Sequence, residues 1–396
     1  MVRSKRRLGA AVGLVALLIL GAWGYSFYVL GPDLAIQRAE AFRFRRMTVS
    51  QLGDESAYRF HYVTNREAGE EPDSIDRRFG HERGAELVFG SFDTRIEPAL
   101  GIGMLIDATE WFQNEEIQID VVREQGRAAF VASLRELVAA SPDRSLLVVV
   151  HGFREAFESG LRKTAFLSHV LDIDAPVLLF DWPGNQGSSL RGYRRARDVA
   201  RSSGPDLAAT LDLVIREVGP ARLWVLANSM GAQVVAEAFG ILHGDPALAD
   251  PELEIENVVL TAPDIDRGEF DAGFREEITA LAKNLTVYVS SNDRALLVSR
   301  IINGGARLGE STASPDQLEE ALRFGEWVER DDDRVTLVDV TPVNRTRNFH
   351  NFSLETPEFF DDLYLRLTQE HAPRSRGIYP VASPKGGVYW VLTRGR

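Results

Sequence analysis

The segment Leu223-Trp224-Val225-Leu226-Ala227-Asn228-Ser229-Met230-Gly231 sets one serine between small residues, where an apolar run meets the helical stretch AQVVAEAFGIL. Strand, sharp turn and helix form the context of a nucleophile elbow, in which a strained turn lifts a hydroxyl clear of the backbone. The helix N-terminus beneath it favours developing negative charge. Ala227 stands where the pattern G-x-S-x-G has its first glycine. Serine is also a favoured helix N-cap, so the residues around Ser229 decide between nucleophile and cap.

A serine hydroxyl attacks a carbonyl only when a base takes its proton, and the base must be oriented by a carboxylate. After an elbow both partners are expected later in the chain. Only His243, His350 and His371 lie downstream of Ser229. His243 ends the elbow's own helix and His371 ends a late helix starting near Pro357, where histidine is ordinarily a cap or dipole partner. His350 instead follows the last strong strand, VTLVDV, in the loop TPVNRTRNFHNFS, and is the expected base.

For the acid, Asp293 follows the strand LTVYV in SSNDRALL, while Asp264 and Asp266 follow the strand VVL in TAPDIDRGEF. All three lie at strand carboxyl ends, where an α/β sheet places its ligands. Asp293 is preferred, one strand before the histidine; a helix N-cap is its bland alternative. Asp266 comes second and Asp264 third. The oxyanion of acyl transfer needs two donors. Met230 N–H follows the nucleophile, and His151-Gly152-Phe153, after LLVVV, offers a second from Phe153, with Gly152 permitting close approach. His151 reads as an oxyanion-loop residue or a satisfied structural histidine.

Eight strands would position these groups: 59–63, 86–92, 146–150, 177–180, 223–226, 258–260, 285–289 and 335–340. Helices are expected over 126–140, 160–171, 203–218, 231–242, 294–302 and 315–324. LLVVV, VLLF and VVL are continuous apolar runs, as in parallel strands buried on both faces. The fold class is therefore α/β, with a mostly parallel central sheet and helices on both faces.

The chain has 396 residues and 44% hydrophobic content, enough for one large core. It has no cysteine, which excludes disulfides, thiolate metal sites and cysteine nucleophiles. Its net charge is −13, yet residues 1–46 are basic, so the body is more acidic still and unsuited to nucleic acid. Residues 8–32 carry no charge and follow Arg3, Lys5, Arg6 and Arg7. That run is long enough to span a bilayer, and the positive-inside rule leaves the body outside the cytoplasm. A cleaved signal peptide, ending near Ala22-Trp23-Gly24, is the alternative. The expected organisation is a basic cytoplasmic end (1–7), a single inner-membrane anchor (8–31), a juxtamembrane linker (32–56), one catalytic domain (57–371) and a C-terminal tail (372–396). The stretch 38–46 is either a lipid-facing basic segment or a solvated linker. No metal or cofactor motif is present: the histidines are not paired for joint ligation, and no P-loop or G-x-G-x-x-G occurs.

With VVVHGF, LLFDWPG, LANSMGA, LTAPDID, VSSNDRAL and His350 in order, the chain resembles an uncharacterised family of bacterial α/β-hydrolases related to lipases and esterases. The resemblance runs from about Tyr62 to about Phe352 and extends to Thr64-Asn65-Arg66, Phe79–Gly84, Trp182-Pro183 and Tyr193. It implies the α/β-hydrolase fold and a triad of Ser229, Asp293 and His350, and no particular substrate. The chain departs at Asn228, where such proteins more often carry histidine, which bears on pocket shape. The expected activity is hydrolysis of an acyl ester, small-molecule or lipid, through an acyl-enzyme. An acyltransferase would use the same triad, and a catalytically silent envelope-binding protein is the reading from another class.

Overall fold

The computed structural model describes residues 47–96, 117–245, 255–290, 293, 334–344, 352–368, 378–382 and 388–393. The expected anchor at 8–31, the basic stretch 38–46, the helices at 294–302 and 315–324, and both His350 and His371 lie outside them. Among the described residues no helix is long and apolar enough to cross a membrane.

Twelve strands form one sheet: β1 (Gln51–Leu52), β2 (Asp54–Ala68), β3 (Phe79–Ile96), β4 (Ile117–Gln125), β5 (Ser145–Val150), β6 (Val177–Asp181), β7 (Arg222–Asn228), β8 (Ile255–Thr261), β9 (Ala282–Val289), β10 (Val335–Asp339), β11 (Tyr379–Ala382) and β12 (Val388–Val391). Their order is β11-β12-β10-β9-β8-β7-β5-β6-β2-β3-β4, with β1 on β2. Pairing is parallel from β2 through β6, β5, β7, β8, β9 and β10 to β12. The meander β2-β3-β4 and the outer pair β11-β12 are antiparallel.

Among the described residues the helices are α1 (Arg127–Ala140), α2 (Phe157–Leu171), α3 (Leu190–Leu213), α4 (Gly231–His243), α5 (Arg275–Leu281) and α6 (Pro357–Thr368), with short turns at Arg267–Glu269, Phe270–Phe274 and Phe352–Glu355. Alternate strand residues feed two cores. Val148, Val150, Val225 and Ala227 pack with α1, α3, α4 and α5, whereas Leu147, Val149, Trp224 and Leu226 pack with α2 and α6. Burial on both faces explains why these strands read as unbroken apolar runs. The chain leaves β5 for β6 on one side and later returns to β7 on the other. The carboxyl ends of β5 and β7 thus flank a topological switch point, where an open α/β sheet forms its ligand crevice.

Each of the eight expected strands is present. Three boundaries need correction. The linker assigned to 32–56 already contains β1 and the start of β2, and Met47, Thr48 and Val49 donate backbone N–H groups to Asp172 and Asp174. The tail assigned to 372–396 supplies β11 and β12, because β12 satisfies the open edge of β10. The helix expected at 203–218 starts at Leu190 and continues through Pro205 into a π-turn, Val214–Val218. Its polar first half is held by burial of Gly192, Tyr193, Ala196 and Ala200, four residues apart or nearly so.

Candidate active site

β7 delivers Ser229 in left-handed backbone, φ 53°, and only 5% exposed. A non-glycine residue there costs on the order of 1 kcal/mol and persists only where its surroundings impose it. The surroundings are visible: Ser229 N donates to Thr261 O at 2.9 Å, and Ser229 O accepts from the N–H groups of Ala232 and Asp264, both 3.1 Å away. The helix cap is Met230, with no side-chain capping bond. Ser229 is therefore an elbow residue whose carbonyl, not its hydroxyl, serves the helix. Gly231 makes the turn possible, since a Cβ there would lie 2.4 Å from His151 O.

The loop after β5 presses on this turn. A Cβ on Gly152 would sit 3.1 Å from Ser229 Cβ and 3.2 Å from Asn228 O. Phe153 follows, half-buried, its ring edge-on to Tyr193 with centroids 5.5 Å apart. Neither Met230 N–H nor Phe153 N–H has an acceptor among the described residues, which leaves both available to an oxyanion.

Beneath the loop lies a buried charged chain that sequence reasoning did not assign. Arg66 donates to Asp181 (Nε to Oδ2, 2.7 Å) and to the backbone oxygens of Glu155 and Trp182. Thr64 Oγ1 donates to the same carboxylate at 2.7 Å. Burial alone would raise the Asp181 pKa, but the Arg66 charge and the bond from His151 outweigh it and hold it at about 2. His151 Nδ1 lies 2.9 Å from Gly152 O and its Nε2 lies 3.0 Å from Asp181 Oδ1. Trp182 stacks on the ring and donates Nε1–H to His151 O at 2.8 Å. His151 is thus a satisfied structural histidine at the end of β5. The clue was in the recurring Thr64-Asn65-Arg66 and in Asp181 at a strand's carboxyl end.

Asp264 is buried, accepts from Tyr193 Oη at 2.6 Å and ties α3 to the elbow. Asp266 caps the turn after β8 by accepting from Gly268 N at 2.9 Å and Glu269 N at 3.2 Å. These bonds hold both carboxylates in place after the carboxyl end of β8. Asp293 is buried four residues past the end of β9, its N–H 3.3 Å from Ser290 O. Asn344 Nδ2 donates to Ser290 Oγ at 2.8 Å, joining the carboxyl ends of β9 and β10. Asn228 Oδ1 accepts from Thr261 Oγ1 (2.9 Å) and Ser353 Oγ (3.2 Å). The residue that departs from the resembled family thereby pins the turn Phe352–Glu355 to the elbow. A small cavity of about 50 Å³ lies beside it, walled by Val149, Leu167, Leu226 and Leu354.

An elbow at a switch point, faced by a glycine loop, with one available amide on each, defines the α/β-hydrolase class. The chain belongs to the family described as alpha/beta hydrolase of unknown function (DUF900), whose model matches residues 126–363. No curated protein sequence matches it. Similar solved structures include an uncharacterised protein from Bacillus cereus ATCC 10987, 14% identical, covering 58% of this chain and 61% of that one, with a TM-score of 0.37. The chain thus spans under two thirds of that protein's length. Another is a thermophilic esterase from Thermogutta terrifontis with butyrate bound, 14% identical, covering 59% and 86%, with a TM-score of 0.31.

Proposed function

We propose that the protein is a serine hydrolase that cleaves acyl esters through Ser229, His350 and Asp293. The observation that carries this is the left-handed Ser229 with Gly152 packed against its Cβ. In the proposed reaction His350 takes the Ser229 proton and the hydroxyl oxygen attacks the ester carbonyl. The amides of Met230 and Phe153 receive the oxyanion, and the alcohol leaves with the proton. Water then hydrolyses the acyl-enzyme by the same route. Support for His350 comes from Ser353, three residues on, bonded to Asn228 beside the nucleophile. Three residues span at most about 11 Å of extended chain. Support for Asp293 comes from its burial past the carboxyl end of β9, where an α/β sheet places its ligands.

A fluorophosphonate probe should label the full chain and leave Ser229→Ala unlabelled. A panel of 4-nitrophenyl esters should lose at least about a thousandfold in kcat with that substitution. Equal turnover by both proteins would overturn the reading, and absent labelling would favour a silent binding protein. We also place the body outside the cytoplasm, held by the apolar run at 8–31. Alkaline carbonate should leave the full chain in the membrane fraction and release a chain lacking residues 1–31.

A further inference from the structure

The first half of α3 carries Arg191, Arg194, Arg195, Arg197 and Arg201. Three of these are tied down: Arg195 pairs with Glu82, Arg197 with Glu269 at 3.4 Å and Arg201 with Glu269 at 2.7 Å. Arg191 and Arg194 are exposed, three apart on one helix face, and no acidic partner meets either among the described residues.

Arg154 is a third guanidinium of this kind. It is exposed, without a side-chain partner among the described residues, and its backbone is left-handed at φ 69°. Its N–H donates to Gly184 O at 2.9 Å, so the strained conformation is held in place. Arg154 follows Phe153 and Arg194 follows Tyr193, and those two rings are in contact. Tyr193 in turn reaches the elbow through Asp264. Arg154 and Arg194 are thus the chain neighbours of two touching rings beside the elbow, and Arg191 lies one turn from Arg194 near the N-terminal end of a 24-residue helix whose dipole adds positive potential. Beside them Leu190 is 60% exposed, more than any other large hydrophobic among the described residues. In a chain of net charge −13, three exposed arginines that form no ion pair among the described residues, next to an exposed leucine, fit an anionic amphiphile.

We propose that Arg154, Arg191 and Arg194 bind a phosphate-type oxyanion group of the substrate, with Leu190 against its apolar part. Given the hydrolase reading, on which this rests, the substrate is an acyl ester bearing a phosphate. Guanidinium forks match phosphate oxygens in pairs, which gives both attraction and orientation.

The test uses the full chain in neutral detergent, carrying Ser229→Ala, titrated calorimetrically with hexyl phosphate and with hexanol. Hexyl phosphate should bind at least tenfold more tightly than hexanol. The triple substitution Arg154→Gln, Arg191→Gln, Arg194→Gln should remove that difference, and the corresponding lysine triple should restore part of it. Comparing two ligands on one protein makes the ratio independent of the folded fraction. Equal binding of the two ligands, or an unchanged ratio in the glutamine triple, would overturn the proposal. Phosphatidylglycerol in mixed micelles then separates the sources. Competition with hexyl phosphate by phosphatidylglycerol and not by phosphatidylcholine assigns a lipid headgroup, and no competition assigns a free phosphate ester. If the hydrolase reading fails, Ser229→Ala retains ester turnover, whereas phosphate binding by the arginines stands or falls by itself.

Discussion

Two glycines at the elbow separate folding from chemistry at the scale of single residues. At Gly231 an added methyl would lie 2.4 Å from His151 O and 2.7 Å from Val150 O, and backbone atoms cannot rotate away. Gly231→Ala should therefore lose roughly 2–3 kcal/mol of unfolding free energy, measured by urea denaturation. At Gly152 the nearest atoms are Ser229 Cβ at 3.1 Å and Asn228 O at 3.2 Å. A shift of a few tenths of an ångström relieves that contact, but it moves the proposed nucleophile, Ser229, against the amides of Met230 and Phe153. Gly152→Ala should cost under about 1 kcal/mol of stability and lower kcat on 4-nitrophenyl esters at least tenfold. Similar losses in both proteins on both measurements would show that the loop and the elbow do not meet as described. The turn through Ser229 and Met230 was readable in the sequence because an elbow is local: strand, turn and helix are contiguous. Arg66 and Asp181 could only be flagged as recurring residues, because their bond joins strands 115 positions apart.

The central strands were legible for the same reason that they are stable, since burial on both faces removes every polar residue from the run. β4 was not. A register shift opposite Asp93 and Thr94 changes the parity of IQIDVVREQ, so the strand buries Ile117 and Val122 and shows no period of two. The first half of α3 was missed because its arginines gave no apolar stripe. Packing between elements also sets a pH dependence. His61 of β2 lies against α1, its Nε2 2.9 Å from Ser133 Oγ and its ring edge-on to Phe130. Burial, helped by the Arg59 charge, lowers its pKa from 6.5 to about 4. The neutral ring is the native form, so this contribution is complete above pH 6.5 and is lost as pH falls from 6.5 to 4. At about 1.4 kcal/mol per unit the loss approaches roughly 3 kcal/mol. Urea midpoints measured between pH 7 and pH 4 should fall more steeply for the wild type than for His61→Gln. Parallel curves would mean that the ring is not held neutral at this interface.

At the scale of the whole molecule, the sheet ends differently from what the sequence suggested. APRSRGIYPVASPKGGVYW carries enough proline, glycine and charge to read as a tail. Strand β12 nevertheless runs parallel to β10 through the pairs Val338↔Trp390 and Asp339↔Val391, and Leu392 N donates to Asp339 O at 2.9 Å. Ile378 and Leu392 are each 3% exposed. The signal is weak because each strand has only four residues, and because Pro380 sits on the outermost strand, where its missing N–H costs no ladder bond. The same proline protects the open edge from pairing with another chain. Ending the chain at residue 371 removes this cover and exposes β10, whose VTLVD is nearly all buried. Burying Ile378 and Leu392 is worth about 3–6 kcal/mol together, and each kcal/mol corresponds to about 2–4 °C in a domain of this size. The truncated protein should therefore melt on the order of 10 °C lower and associate as its concentration rises, since the uncovered strand presents free N–H and C=O groups. Differential scanning calorimetry and light scattering across a tenfold range of concentration read the two effects. An unchanged Tm with a monodisperse species would return β11 and β12 to the status of a dispensable tail.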